Sequence, residues 1–511
     1  MSITHITDLV HDLTLLINGL PVFHIDLKAE SAKDGYMQAF EQIKRYVEAS
    51  FFDGIYATTQ IFVISNKVST KYFARPGANT AKSFDAAKKF LLNWRTPSND
   101  PVENLYEFTR LVLSIPAAHE LIAKYTILVD DKKSQKFLMV LRPYQIHAIQ
   151  KIITQAKKHE GGYVWHATGS GKTITSFVAT KLLAQTSMGV DRTVMVVDRI
   201  DLDKQSKDEF SKFASEYHTG SASGNVKDNA LIVGVDNRRQ LTTSLLSKKN
   251  NNTIIITTIQ KLIAAIKGVK ESESGKFDKL KSEHIVFVVD ECHRAVSDEQ
   301  MKEIKKLLPN STWFGFTSTP IFFKNRKQDN GKFARTTADQ YNPKNAKSEA
   351  ISKDPLHAYT TKNAMDDNSV LNFQVEYHCL LEADSREEYL FQMVKQNYPK
   401  LDPARKLADM TEIEKEELQE KALFERDEYI EAMLKKIFKR QSVIERFKVI
   451  NGFPTMSAVL TTHSIAQAKW IYHKLQEFKN NGTLLNGKEL DERYTLRDPD
   501  FPTQSAKIKR K

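Results

Sequence analysis

The chain reads as an α/β protein: a small N-terminal α/β domain, a doubly wound parallel sheet, a helical linker, and the start of a second α/β unit. Three observations predict this. Apolar runs at Tyr163–Trp165, Val194–Val197, Ile254–Thr258, His284–Val289 and Trp313–Phe316 each end in polar residues, and several are separated by segments long enough for a helix. A Gly-rich string, His166–Thr173, lies between one of these strands and the helical run Ile174–Ala184. Near the N-terminus, Asn18-Gly19 joins two short alternating runs, Leu13–Ile17 and Val22–Leu27, as a hairpin turn does.

Length and composition bound the reading. At 511 residues there is room for about three domains, and 41% hydrophobic with 27% charged residues is the balance of a globular protein. No apolar run approaches the roughly 20 residues that span a bilayer, and the first residues lack the basic-then-apolar pattern of a signal peptide. A cytoplasmic protein with no membrane partner is expected. Two cysteines, Cys292 and Cys379, are too few for a disulfide framework. The net charge of +12 suits a phosphate-bearing partner, although many basic proteins bind none, and the basic tail Lys507–Lys511 reads as a solvated end.

Taken in order, the hairpin carries the first candidate chemistry. Pairing in which residue numbers sum to about 38 sets Asp12 opposite Asp26, and the period of two puts Asp26 and Lys28 on one face while Ile25 and Leu27 enter the core. Two carboxylates and an ammonium then converge. Asp12 and Asp26 can bind Mg²⁺, and Lys28 can place or deprotonate a water for attack on a phosphodiester. The next segment, Tyr36–Ala49, is helical by its stripe of Tyr36, Phe40, Ile43 and Val47, and Gln42, Arg45 and Tyr46 fall at i, i+3 and i+4 where they can serve the same site.

The second candidate site is the Gly-rich string. Backbone amides of Thr168, Gly169, Ser170 and Gly171 at a helix N-terminus face phosphate, Lys172 reaches the terminal phosphates of ATP, and the hydroxyl of Thr173 holds Mg²⁺. His166 departs from the pattern by standing where a first glycine belongs. Downstream, Asp290 and Glu291 end a buried strand at the ligand crevice, Asp290 placed for the metal and Glu291 for the attacking water.

The order of these strings, with Arg142-Pro143-Tyr144-Gln145 ahead and Thr317-Ser318-Thr319-Pro320 behind, resembles the first motor domain of superfamily 2 helicases and translocases. That resemblance implies that Gln145 reads the adenine and that Thr317 and Thr319 couple the site to nucleic acid. The run Asp12–Lys28 with Gln42–Tyr46 resembles the PD-(D/E)xK nuclease domain of the restriction and motor subunit of type I restriction enzymes. The similarity runs on through Phe90–Trp94, Asp198–Gln205 and Asn363–Tyr377 in the same order. The family usually carries Glu at the position of Asp26. The resemblance implies ATP-driven pumping of double-stranded DNA while docked on methyltransferase and specificity subunits, with Mg²⁺-dependent cutting; S-adenosylmethionine enters only through the methyltransferase.

The expected domains are a nuclease over residues 1–130, a RecA-like motor over 136–322, a loop and helical linker over 323–450, and an incomplete second RecA-like lobe over 451–511. Within them, Phe323–Pro355 reads as a surface loop or a partly disordered segment, Pro403–Ile450 as amphipathic helices, Ser457–Thr461 as a strand and Ile465–Phe478 as a helix. Both ends read as truncated against the resembled family, so weak ATP binding and poor translocation are expected of the chain alone. Two alternatives stay open: a stand-alone superfamily 2 helicase or translocase, and a catalytically dead DNA-binding remnant.

Overall fold

A computed structural model describes residues 13–32, 34–78, 80–130, 136–185, 189–197, 232–234, 238–247, 253–326, 328–329, 332–342, 354–367, 369–370 and 383–410, with shorter stretches beyond, the longest 464–480. Asp12, Cys379 and the string Asp198–Gln205 lie outside the described residues. The chain divides into two units, Met1–Asn372 and Phe373–Lys511.

The first unit begins with β1 (Leu13–Ile17) and β2 (Leu20–Leu27). Asn18 at φ 50° and Gly19 at φ 81° occupy the two left-handed turn positions that the sequence pattern requires. Leu13 pairs with Ile25, Thr14 with His24 and Leu15 with Phe23, the register expected from sequence, before a shift at Leu15/Leu16. Helix α1 (Gly35–Glu48) crosses to β3 (Ile61–Ser65), parallel to β2, and β4 (Thr70–Ala74) runs antiparallel to β3. Residues directly paired across a sheet share a face. His24, Phe62 and Phe73 therefore form one row and Asp26, Ile64 and Lys71 the next, on the face where Phe40 and Ile43 of α1 are buried with Phe62, Ile64 and Phe73. The opposite face sends Phe23, Ile25, Ile61, Val63 and Tyr72 into a larger core continuous with the second sheet.

That second sheet follows α2 (Pro143–Ala156) and consists of β5 (Gly162–His166), β6 (Arg192–Val197), β7 (Ile232–Gly234), β8 (Ile254–Thr258), β9 (Ile285–Val289), β10 (Ser311–Thr317) and β11 (His357–Tyr359), with α3 (Lys172–Gln185) after β5 and α4 (Ile259–Ser272) after β8. The strand order is β7-β8-β6-β9-β10-β5-β11, and every neighbouring pair is parallel. Every residue of β6, β8 and β9 is buried, which is why these strands read as unbroken apolar runs rather than alternating ones. Because β9, β10 and β5 are consecutive and parallel, the loops after all three leave from one edge of the sheet.

The described residues after 322 include regular structure where a surface loop is one expectation. Thr336 and Asp339 form a reciprocal capping box that starts a helix, Thr337–Tyr341, and Tyr341 is buried in the motor core. β11 then pairs with β5, His357 against Val164 and Tyr359 against His166, so the motor sheet extends past the expected boundary at 322. A three-residue strand is too short to show a period, and the capping box is the only local signal in this stretch. In the second unit, helices span Ala383–Asn397, Pro403–Asp409 and Ile465–Asn480, and Ile430, Leu434, Ile471 and Leu475 form a small core. The helix over Ile465–Asn480 matches expectation; residues 457–459 of the expected strand Ser457–Thr461 lie outside the described residues. Among the described residues no helix is long and apolar enough to cross a membrane.

Candidate active sites

At the carboxyl end of β2, Asp26 is fully buried, and the Lys28 ammonium lies 2.5 Å from its Oδ1. A buried carboxylate without such a partner would cost several kcal/mol, roughly, so the Lys28 side chain is bound to this position by electrostatics. Lys28 also donates to Gln42 Oε1, and Gln42 Nε2 donates to the Tyr46 hydroxyl. The i, i+4 spacing on α1 and the i, i+2 spacing on β2 thus meet in one hydrogen-bonded chain, Asp26–Lys28–Gln42–Tyr46. Arg45 is exposed and stands at the mouth, lining an open cleft of about 540 Å³ with Lys28, Gln38 and Glu41. The Lys28 amide donates to Ser65 O at 2.8 Å, which anchors the strand end beside β3.

His24 is a neighbour absent from the expected set. It lies one pleat before Asp26 on the same face, walled by the rings of Tyr46, Phe51, Phe52 and Phe62, and burial pulls its imidazole down to about 4. The period of two could have found it, since His24, Asp26 and Lys28 alternate with apolar residues.

The Gly-rich string forms a turn between β5 and α3. Gly169 at φ 78° and Gly171 at φ 80° take left-handed backbone that L side chains rarely adopt, and a Cβ at Gly171 would lie 2.8 Å from Gln145 Nε2. Ser170 Oγ donates to Ala167 O at 2.6 Å, closing the turn, and the loop amides precede the first turn of α3. His166 is tolerated without a glycine because it is the last residue of β5, in strand backbone, with its Nε2 3.1 Å from His357 Nδ1. Burial holds this imidazole well below its ordinary range.

Lys172 is nearly buried, and its ammonium lies 3.8 Å from Glu291 Oε1. Glu291 itself has φ 44°, an uncommon conformation for a residue with a side chain and one that clusters at functional sites, and its amide donates to Asp290 Oδ1 at 2.9 Å. His293 Nδ1 is 2.9 Å from Thr317 Oγ1, its Nε2 is 3.3 Å from Thr319 Oγ1, and the Thr319 amide donates to Thr317 Oγ1. The acidic strand end and the Thr-Ser-Thr loop after β10 are therefore joined through His293, a residue to which the sequence motifs assign no role.

Gln145 braces the phosphate loop. Its Oε1 accepts from the Arg142 amide at 2.8 Å, and Nε2 donates to Ser170 O and Gly171 O at 3.4 and 3.3 Å. Tyr144 donates to Ser170 O at 2.5 Å and stacks on Tyr359 with ring centroids 3.6 Å apart. Tyr359 donates to Asp367, whose other oxygen pairs with Arg95 of the N-terminal region. Thr168 and Thr173 flank the turn, with Thr173 O accepting from Ser176 Oγ at 3.0 Å.

The sequence matches known proteins over both regions. Residues 144–406, just over half the chain, match the SWI2/SNF2 ATPase family, and residues 5–80 match the type I restriction enzyme R protein N terminus. A putative type I restriction enzyme protein of Mycoplasma pneumoniae, the C-terminal part of the MpnIIP endonuclease subunit, is 31% identical over 224 residues, which cover 42% of this chain and 98% of that protein. The chain belongs to the type I restriction enzyme endonuclease subunits. It is 34% identical over 368 residues to the SauCOLORF180P endonuclease subunit of Staphylococcus aureus (strain COL), covering 72% of this chain and 34% of that one. Identity to the SsaAORF53P endonuclease subunit of Staphylococcus saprophyticus is 33% over 381 residues, covering 73% and 35%. The chain spans about a third of the length of these two staphylococcal relatives.

Proposed function

We propose that this chain acts in a type I restriction enzyme, translocating double-stranded DNA with ATP and cutting it in a Mg²⁺-dependent step. The observation that carries the reading is the chain Asp26–Lys28–Gln42–Tyr46 on the same polypeptide as the Lys172–Glu291 pair. The first is a nuclease constellation and the second a nucleotide-hydrolysis one.

In the nuclease site, Lys28 lies between a carboxylate and an amide carbonyl, so its protons are directed and its position does not depend on substrate. Gln42, oriented by Tyr46, holds that ammonium at the cleft, where it can contact a phosphodiester oxygen or a water. Arg45 at the mouth supplies charge for the backbone. The donor set suits Mg²⁺, a hard cation that takes carboxylate oxygen and keeps water: Asp12 and Asp26 would hold it here, and Thr173 with Asp290 in the motor. When bound, the ion supplies charge for the scissile phosphate or for the terminal phosphates of ATP.

In the motor, Gly169 and Gly171 let the backbone close on the phosphates, Lys172 neutralises the terminal ones, and Glu291 orients the attacking water. Gln145, already hydrogen-bonded to the loop, reads the adenine while fixing the turn. The His293 bridge passes the state of the acidic strand end to Thr317 and Thr319, which face nucleic acid. Partners are the methyltransferase and specificity subunits, with S-adenosylmethionine held by the methyltransferase.

The test is a pair of variants in the assembled enzyme. Asp26→Ala should lose DNA cleavage and keep ATP hydrolysis, whereas Lys172→Ala should lose both hydrolysis and the cleavage that depends on it. Cleavage that survives Asp26→Ala at the original rate sinks the nuclease assignment.

A further inference from the structure

The segment that follows the Thr-Ser-Thr loop holds two exposed phenylalanines on a fixed turn. Asn325 Oδ1 accepts from the Phe322 amide at 2.5 Å and Asn325 Nδ2 donates to Pro320 O at 3.2 Å, while the Ile321 amide donates to Thr337 Oγ1 and the Thr337 amide to Ile321 O, both at 2.8 Å. Phe322 meets Trp165 of β5 edge-on, ring centroids 5.3 Å apart, and the Trp165 indole donates to Ser318 O at 3.2 Å. Phe323 stands out from this support, 72% exposed, with the Arg326 guanidinium carbon 3.8 Å from its ring centre. A loose loop could fold such a ring away; this one is held out by hydrogen bonds made behind it.

Charge selects the kind of partner. Pro320–Arg326 carries Lys324 and Arg326 and no carboxylate, and aromatic rings interleaved with cations are a composition suited to nucleic acid. Position selects which phosphate. Val164 shares a core with Phe177 and Val178 of α3, whereas Trp165, the next residue of β5, packs on the core of the opposite face. The Gly-rich turn leads into α3 on the first face, so Phe322 and its turn lie across β5 from the nucleotide phosphates. Phe323 is instead four residues from Thr319, a reach of at most about 14 Å.

We propose that Arg326, seated on the Phe323 ring, binds a backbone phosphate of duplex DNA. A guanidinium offers five N–H donors in a planar fork that matches phosphate, and the ring beneath it fixes where that fork stands. Phe323 is thus a positioning residue and Arg326 the contact. The inference rests on the motor reading and makes the turn after Thr319 a part of the motor that grips the track. Because Trp165 and Ser318 support the same turn, the grip is anchored to the strand that ends at the phosphate loop and to the loop that His293 bridges.

The experiment measures binding of the full chain to a short fluorescein-labelled duplex, and separately to a fluorescent ATP analogue, between about 50 and 200 mM salt. Arg326→Gln should reduce the salt slope by about 0.9, so its loss of affinity across that range is about 3.5-fold smaller than that of the original chain. Phe323→Ala should weaken duplex binding about two- to fivefold, Phe323→Tyr should restore it, and the double variant Phe323→Ala/Arg326→Gln should bind no worse than Arg326→Gln. ATP-analogue affinity should not change. Phe323 is exposed, so its variants keep the test valid if Arg326→Gln misfolds. Unchanged duplex affinity and slope in the folded variants overturn the contact and leave the motor reading standing; loss of assembly with the methyltransferase subunit in those variants would then give the surface to protein. Weakened ATP-analogue binding with duplex binding intact also overturns the contact, assigning the cation to nucleotide. Additive losses in the double variant overturn the seating of Arg326 on Phe323. An original chain that binds no duplex removes the motor reading together with the contact.

Discussion

Replacing Gly171 by Ala should damage nucleotide binding more than replacing Gly169, although both glycines sit at nearly the same φ. Each alanine must adopt left-handed backbone, at about 1–2 kcal/mol. The difference lies in the surroundings. At Gly169 an added Cβ meets Val370 Cγ1 at 3.7 Å, an ordinary contact, whereas at Gly171 it meets Gln145 Nε2 at 2.8 Å and Ile174 Cγ2 at 3.3 Å. Gln145 is buried and used at both ends, accepting from the Arg142 amide and donating to the loop carbonyls, so it cannot move without breaking bonds. Breaking them costs roughly 1–2 kcal/mol, which is about five- to thirtyfold in affinity at 1.4 kcal/mol per tenfold. Titration with a fluorescent ATP analogue should therefore rank the chains original, Gly169→Ala, then Gly171→Ala, with that last gap. In a Gln145→Ala background the gap should close, because the added methyl then has space. Equal affinities for the two glycine variants with Gln145 present, or a gap that persists without it, would refute the bracing role.

Other consequences can be checked without DNA. His24 has a folded pKa of about 4 against an ordinary 6.5, so the unfolded chain takes up its proton first as pH falls. Its contribution is intact above pH 6.5 and declines toward pH 4, by about 3 kcal/mol in all; His24→Leu should flatten that part of a urea-stability profile, and an unchanged profile would exclude it. His357, held at about 3 by burial, acts in the same direction and should leave a residual acid sensitivity. The Cys292 thiol is fully buried, packed where a Cβ on Gly315 would come within 2.6 Å of its Sγ, and burial raises its pKa well above the usual value. In a Cys379→Ser background it should resist aromatic disulfide reagents until the protein is unfolded; rapid labelling of the native chain would contradict this burial.

What the linear chain determined is whatever depends on neighbours within a few positions. Asn18-Gly19 set the hairpin and its register, the unbroken apolar runs of β8 and β9 announced strands covered on both faces, and Gly169, Gly171 and Lys172 marked a phosphate loop through backbone freedom and charge. Gln42 and Tyr46 were legible because a helix brings i and i+4 together. What only the tertiary structure decided is how distant stretches meet. No local pattern says that Gln145 braces Ser170 and Gly171, that His293 ties Glu291 to Thr317, that β11 extends the motor sheet, or that Lys71 stands in line with Asp26. Each depends on strand order and on how helices lie over the sheets. Those are chosen by burial of apolar surface summed over the fold, which has no period along the chain.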